Sequence, residues 1–327
     1  MSSLISVVMP CLNAGRYLQE AVDSVLGQQL PAPWQLELLL VDDGSRDPLT
    51  LELIDKARSD PRVRVLVNDK PGGVSRARNQ AISAAQGTLI AFHDADDKWQ
   101  AGHLATHIRL LQDDSVAFSA TDYDYIDAEG QTIATDCLWS NRRKGPKLRE
   151  KLGEGSSAIF SKPTELFITM CPAWICALVV RRDALGGSRP FNEDLALAED
   201  LELWIRLALN HNFAFGRATT AQYRKVGTSL TNSAGPSRLD MATAKMYEGL
   251  AARPEFAAYV PLIRHTANTH HLSAAYGLKL LGKRLQSFAC IANAVRSLPM
   301  DRRAYRQLLT LPLPTRQSAT ATAATPT

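Results

Sequence analysis

The sequence is poor in the features that staple small secreted proteins or carry a chain across a bilayer. Only five of its 327 residues are cysteine (Cys11, Cys137, Cys171, Cys176 and Cys290), widely spread and without a C-x-x-C pair. Neither a disulfide framework nor a zinc site is indicated, and a reducing compartment fits best. The longest apolar run, residues 172–180, falls far short of the ~20 residues of a membrane-spanning helix. The first ten residues lack a basic segment, and their apolar stretch is too short for a secretory signal. A cytoplasmic protein is therefore expected. No G-x-x-x-x-G-K-[ST] occurs, which removes the P-loop nucleotidases. Neither sign of charge dominates, with 37 Lys and Arg against 33 Asp and Glu. No nucleic-acid partner is expected.

What remains is the composition of a globular protein, 45% hydrophobic and 21% charged, long enough for about two domains. The first 120 residues alternate short β-branched runs with helical patterns. Strands are expected at residues 5–9, 36–41, 63–67 and 88–92. Between them, Leu18, Ala21, Val22, Val25 and Leu26 recur at helical spacing, as do Ala77, Ala81, Ile82 and Ala85. Asp47-Pro48 reads as an N-cap and first-turn proline opening a helix to about residue 57. This is the signature of parallel strands joined by helical crossovers. A helix at 101–111 and a hairpin (116–125 with 131–135) should follow, then a basic loop or short helix at 141–151. A buried strand is expected at 175–180 and a helix at 201–209. Beyond about residue 235 only helical patterns appear, and 311–327 is a Thr/Ala/Pro tail too polar to order itself.

Two of the expected strands end in acid clusters, Val41-Asp42-Asp43-Gly44-Ser45 and Phe92-His93-Asp94-Ala95-Asp96-Asp97. In an open parallel sheet, ligands sit at the carboxyl ends of the strands where the strand order reverses. Carboxylates gathered there are most simply relieved by a divalent cation, and oxygen donors favour Mg²⁺ or Mn²⁺. In extended backbone Asp94 and Asp96 point to one side. Asp97 reads as a cap for the next helix, and His93 as a hydrogen-bonded structural histidine. A Gly153-Glu-Gly-Ser-Ser-Ala158 string follows a basic, helix-like segment in place of a strand, and is set aside as a dinucleotide motif.

In combination these pieces resemble glycosyltransferase family two, which has the GT-A fold. The likeness rests on Val7-Val-Met-Pro10-Cys-Leu-Asn13, Val41-Asp-Asp-Gly-Ser45-x-Asp47, Gly73-Val-Ser-Arg-Ala-Arg78-Asn79 and Phe92-x-Asp94-Ala-Asp96-Asp97. A second block is Phe191-Asn-Glu with Ala198-Glu199-Asp200-Leu-Glu-Leu-Trp204. The resemblance implies an α/β fold with a mostly parallel nucleotide-binding sheet flanked by helices. It implies a catalytic domain over residues 1–230, a helical region at 231–310 and the tail at 311–327. Pro10, Asn13, Asp42, Asp43, Arg78 and Asp94 would border the nucleotide-sugar, with Arg78 behind the acids. Asp94 and Asp96 would hold Mn²⁺ or Mg²⁺, and Asp200 would be the general base. The donor would be a nucleotide-sugar, most simply UDP-linked, and the acceptor a carbohydrate or lipid-linked hydroxyl in a surface polysaccharide or glycolipid.

Two departures stand out. Where the family often has Tyr-Arg-x-His before a Ser-rich stretch, this chain reads Tyr223-Arg224-Lys225-Val226-Gly-Thr-Ser229. Val226 cannot be a ligand, and Arg224-Lys225 reads as a solvated pair. Glu199 reads either as an active-site neighbour of Asp200 or as an ordinary first-turn acid. Two other functions fit less well. A nucleotidyltransferase needs a glycine- and basic-rich loop that residues 10–15 do not supply, and the intact acids weigh against an inactive binding protein. Finally, residues 276–327 carry eight basic residues against Asp301 alone. Together with Leu278, Leu280, Leu281, Leu285, Phe288 and Ile291, they make 276–310 a candidate for peripheral contact with an anionic membrane.

Overall fold

The structure is a computed structural model and describes residues 3–226 and 235–310. The chain divides into two units, Met1–Ser233 and Ala234–Thr327. The expected tail at 311–327 and the stretch Gly227-Thr-Ser229 lie outside the described residues.

In the first unit, β1 (Leu4–Cys11) is flanked by β2 (Gln35–Asp42) and β4 (Leu89–Phe92), with β3 (Val63–Val67) beyond β2, all parallel. A strand covered on both faces cannot alternate polar and apolar residues, and Ile5, Val7, Val8 and Met9 are all fully buried. Three helices make the crossovers: α1 (Tyr17–Leu26), α2 (Pro48–Ala57) and α3 (Val74–Ala84). Asp47 caps α2 as expected, accepting from Thr50 N at 2.8 Å. The chain builds outward from β1 to β3 and then returns to its other side as β4, so the order reverses at β1.

The remainder is β5 (Lys98–Trp99), α4 (His103–Leu110), β6 (Val116–Ile126), β7 (Thr132–Ala134), α5 (Lys144–Leu152) and β8 (Ser157–Phe160). Then come α6 (Thr164–Met170), β9 (Leu178–Arg181), α7 (Glu199–Asn210) and β10 (Asn212–Arg224). The sheet order is β3-β2-β1-β4-β9-β6-β10-β5, with β7 on β6 and β8 on β10. β9 runs antiparallel to both β4 and β6, while β6 and β10 are parallel. The expected hairpin is β6–β7. Of the strand expected at 175–180, Ile175–Ala177 forms instead a 3-10 turn and pairing begins at Leu178.

Among its described residues the second unit holds helices only: α8 (Pro236–Ala251), α9 (Val260–Leu280), α10 (Arg284–Ser297) and α11 (Arg302–Leu309), plus a 3-10 turn. α9 and α10 form a hairpin through Gly282, whose φ of 71° suits glycine. Leu272, Ala275, Leu278, Cys290, Ile291 and Ala294 make its core. Leu280, Leu281, Leu285 and Phe288 are exposed at 70, 66, 84 and 54%.

Candidate active site

The edge where β1, β2 and β4 end carries the first set of expected residues. Pro10 pairs with Val41 in the last turns of β1 and β2. Asn13, at φ 51°, ties the two strand ends together: its Oδ1 accepts from Arg46 N (2.8 Å) and Asp47 N (3.0 Å), and its backbone N–H donates to Ser45 Oγ. Asp42 is buried, and its Oδ1 accepts from Ser45 N at 2.8 Å. Gly44 follows at φ 85°, and a Cβ there would stand 2.8 Å from the Lys70 carbonyl carbon. Asp43 is buried as well. Its oxygens accept from Asn68 Nδ2, Gly72 N and Gly73 N, so it shapes the loop that opens α3.

The acids after β4 divide by environment. His93 is fully buried, with Nδ1 2.7 Å from Asp94 O and Nε2 3.2 Å from Ser24 Oγ, and burial pushes its pKa down to about 4. It is a neutral structural group. Asp94 gives Oδ1 to Arg78 at 2.8 Å. Asp96 has no ion pair among the described residues, and burial, then the charge of Asp94, pushes its pKa up to about 6. Asp97 is not a helix cap, since α4 starts at His103. It is buried, accepting from Cys176 Sγ (2.8 Å) and Arg224 N (2.9 Å), and burial holds its proton well above the carboxylate range.

Asp94, Asp97 and Cys176 offer donor atoms within 4.8 Å of one another. The Cys176 thiol is protonated, however, raised by burial and donating to Asp97, so this trio is an internal network. The hard oxygen pair Asp94/Asp96 suits Mg²⁺ or Mn²⁺ better.

The second motif block reaches the same edge through α3. Ser75, Arg78, Asn79 and Ser83 recur at helical spacing and form a polar stripe. Ser75 Oγ donates to Leu195 O and Ser83 Oγ to Ser188 O. Asn79 exchanges two hydrogen bonds with the backbone of Phe191, at 2.8 and 2.9 Å. Phe191 and Trp204 then pack edge-on against Phe92, with centroids 5.6 and 5.5 Å away. These contacts seat α7 behind the end of β4. Ala198, just before α7, sits in the left-handed region at φ 63°, a strained turn for a residue with a Cβ.

Arg78 closes the arrangement. Its guanidinium is 4% exposed and bridges Asp94 (2.8 Å) and Glu199 (2.7 Å). Burial works against its charge, but Asp94 and Glu199 more than offset this. Glu199 is therefore the partner of Arg78, and burial followed by the charge of Asp200 pushes its pKa up to about 7. Asp200 Oδ1 accepts from Leu201 N at 2.7 Å, and burial raises its proton affinity too.

Of the Arg224-Lys225 pair, Lys225 is exposed as expected but Arg224 is not. The Arg224 side chain is fully buried, pairing with Glu20 (2.8 Å), donating to Asp96 O (2.9 Å) and stacking over Tyr17. It fixes the backbone of Asp96 from behind. Val226 is buried and apolar. The roles of Glu20, Cys176 and Arg224 were absent from the sequence reading, because their partners lie 79 to 204 residues away.

A profile of the family described as Glycosyl transferase family 2 matches residues 6–165. A Bacillus subtilis protein named as a teichuronic acid biosynthesis glycosyltransferase, TuaG, is 37% identical over 231 residues, 70% of this chain and 82% of that one. The Escherichia coli protein WfgD, named UDP-Glc:alpha-D-GlcNAc-diphosphoundecaprenol beta-1,3-glucosyltransferase, is 29% identical over 214 residues, 64% of this chain and 72% of its own. The solved structure of S. aureus TarS 1–349 in complex with UDP-GlcNAc superposes with a TM-score of 0.65 at 18% identity, covering 91% of this chain and 82% of that one. That likeness is one of fold.

Proposed function

Because the chain belongs to glycosyl transferase family 2, we propose that this glycosyltransferase moves a sugar from a UDP-sugar to a hydroxyl of a surface polysaccharide or lipid-linked saccharide, inverting the anomeric centre. The observation that carries the reading is the Arg78 bridge, which joins the acids after β4 to the acids opening α7 in one ion-pair network. The names of TuaG and WfgD support the acceptor class, and WfgD and the UDP-GlcNAc complex of TarS support the donor.

In this reading Pro10, Asn13, Asp42, Asp43, Arg78 and Asp94 border the nucleotide. Asp42 accepts from the base, while Asn13 and Asp43 keep the loops around it in place. Asp94 and Asp96 would hold Mn²⁺ or Mg²⁺, which supplies Lewis-acid stabilisation to charge developing on the departing diphosphate. Arg78 holds Asp94 and Glu199 from behind. Asp200 takes the proton of the acceptor hydroxyl as it attacks C1 from the opposite face, and the burial that raises its proton affinity favours that step. One displacement inverts the centre, with no need for the close carboxylate pair of retaining hydrolases.

Incubation with UDP-, GDP- and dTDP-sugars, reading nucleoside diphosphate release, tests the reading. UDP release with an inverted product is expected. Pyrophosphate release from a nucleoside triphosphate and sugar phosphate would overturn it in favour of nucleotidyl transfer.

The reading extends to place. Among the described residues no helix is long and apolar enough to cross a membrane. We infer peripheral attachment to the cytoplasmic face through residues 276–310. Leu278 and Ile291 belong to the helical core, but Leu280, Leu281, Leu285 and Phe288 gather exposed around the α9–α10 turn beside Lys283 and Arg284. An apolar tip ringed by basic residues suits an anionic lipid surface.

A further inference from the structure

Four aromatic side chains outside the site gather at the far side of the same sheet edge. Tyr123 and Tyr125 lie two apart on β6, and Tyr223 on β10 is the register partner of Tyr125. Trp174 comes from the segment ahead of β9. Ring centroids are 4.3 Å apart for Trp174–Tyr223, 5.4 Å for Tyr125–Tyr223 and 5.9 Å for Tyr123–Trp174. Tyr123 is buried, whereas Tyr125, Trp174 and Tyr223 each keep an exposed part. Core aromatics of this unit, such as Phe118, Phe167 and Phe213, keep none. Packing alone therefore does not account for the cluster.

Its position relative to the acids follows from the sheet. Along the carboxyl ends, Asp42 and Pro10 come first (β2, β1), then Asp94 and Asp96 (β4), and then, past antiparallel β9, the ends of β6 and β10. The segment carrying Trp174 is anchored on both sides, to the site on one of them. Before it, Cys171 O accepts from Lys144 Nζ at 2.7 Å, and Lys144 also lines the cavity beside the rings. After it, Cys176 Sγ accepts from Asp94 N at 3.2 Å. Beside the rings is a cavity of about 240 Å³ lined by Tyr123, Tyr125, Ser140, Asn141 and Lys144 among others. The Trp174 indole N–H is buried with no acceptor among the described residues.

We propose that Trp174 and Tyr223, beside a Tyr125 ring that has Lys225 Nζ 3.8 Å above its centroid, form the acceptor subsite, a shelf on which a neutral pyranose residue stacks while its hydroxyl meets Asp200. Aromatic faces bearing a few polar groups at the rim are the usual wall of a small-molecule site. A pyranose offers the matching pair, a face of C–H bonds and an edge of hydroxyls. The proposal rests on the glycosyltransferase reading and adds to it the side from which the acceptor enters.

Saturation-transfer NMR on the whole chain tests it. The probes are methyl α-N-acetylglucosaminide, methyl α-glucoside and methyl α-galactoside, with UDP and Mg²⁺ in the same tube. In the unmodified protein, ring C–H protons of at least one glycoside and the uracil protons of UDP should both be saturated. Trp174→Ala and Tyr223→Leu should reduce the glycoside signal at least fivefold and leave that of UDP, which also reports that the variants are folded. Trp174→Phe should retain most of the signal. An unchanged glycoside signal in Trp174→Ala, or no signal from any of the three glycosides while UDP binds, overturns the subsite. Loss of UDP binding in the unmodified protein, with glycosides still bound, would instead overturn the donor reading and leave the subsite standing.

Discussion

Replacing Arg78 by methionine isolates the ion-pair bridge on which the site is built. Methionine keeps an apolar stem beside the Phe191 ring, which lies 5.4 Å from the guanidinium carbon, but removes the cation. Two carboxylates lose their partner unequally, since the Asp94 side chain is 26% exposed and can be hydrated, whereas that of Glu199 is only 11% exposed. Removing one partner of a buried pair costs about 3–5 kcal/mol, and most of it should fall on Glu199. That is a large part of the ~5–15 kcal/mol available to a domain. The cost also depends on pH. Glu199 already has a pKa of about 7 against 4.5 for a free side chain, raised by burial and Asp200 and held down by Arg78. Without Arg78 it rises further, so the folded state binds a proton that the unfolded chain does not, and stability returns as pH falls through neutrality.

Urea denaturation should show Arg78→Met losing several kcal/mol at pH 8 relative to the unmodified protein, and less at pH 6. Arg78→Met with Glu199→Gln should recover about half of the loss at pH 8, because a neutral amide needs no counter-charge. A deficit below about 1 kcal/mol at pH 8, the scale of an exposed pair, or one independent of pH, refutes the argument.

Four other outcomes follow from the same structure. Asp96→Ala should lower turnover by several orders of magnitude without unfolding the chain, and EDTA should do the same; undiminished transfer in either would remove the metal from Asp96. Asp200→Asn should abolish transfer while UDP-sugar affinity by calorimetry persists, and near-normal transfer would move the base to Glu199. His107 is buried with its pKa pushed down to about 3 by desolvation, so its contribution is intact above the unfolded value of 6.5 and drains away as pH falls below it. The unmodified protein should lose about 2 kcal/mol more than His107→Leu between pH 7 and pH 5. Full-length protein should co-sediment with phosphatidylglycerol vesicles at low salt and be released by high salt, and Leu281→Asp/Leu285→Asp should abolish binding; equal sedimentation of the two would acquit the α9–α10 turn.

The parallel half was legible because its signals are local. β1 reads as an apolar run because both its faces are covered, and α1 shows its buried stripe in Leu18, Ala21, Val22 and Val25. The strand β10 was not foreseen, because its alternation breaks at Gly216-Arg217-Ala218, where the pairing with β6 slips register. The buried state of Arg224 was equally hidden. A cation beside Lys225 reads as solvated until Glu20, 204 residues earlier, is brought against it. Asp97 misled for the same reason, being satisfied by Cys176 and the Arg224 amide in place of a helix start. At the site, Asp94, Asp96 and Asp200 were visible as motif letters, but the partner of Arg78 was settled only by the fold.

The polar stripe on α3 also bears on how such enzymes could be recombined. Every residue proposed to border the nucleotide lies before residue 97, and the inferred base and aromatic shelf lie after it. Among the contacts between the two portions, which also include the β4–β9 pairing, Cys176 on Asp94 and Arg224 on Glu20, the stripe sets Ser75, Arg78, Asn79 and Ser83 against the backbone at 188–195 and Glu199. Because most of those bonds go to main-chain atoms, the sequence opposite the stripe is free to vary while its path is kept. A chimera that takes its first hundred residues from one relative and the rest from another should therefore remain assembled if the stripe, the acid facing Arg78, and the partners of Cys176 and Arg224 are all present. New acceptors could then be reached by exchange of whole segments as well as by point changes.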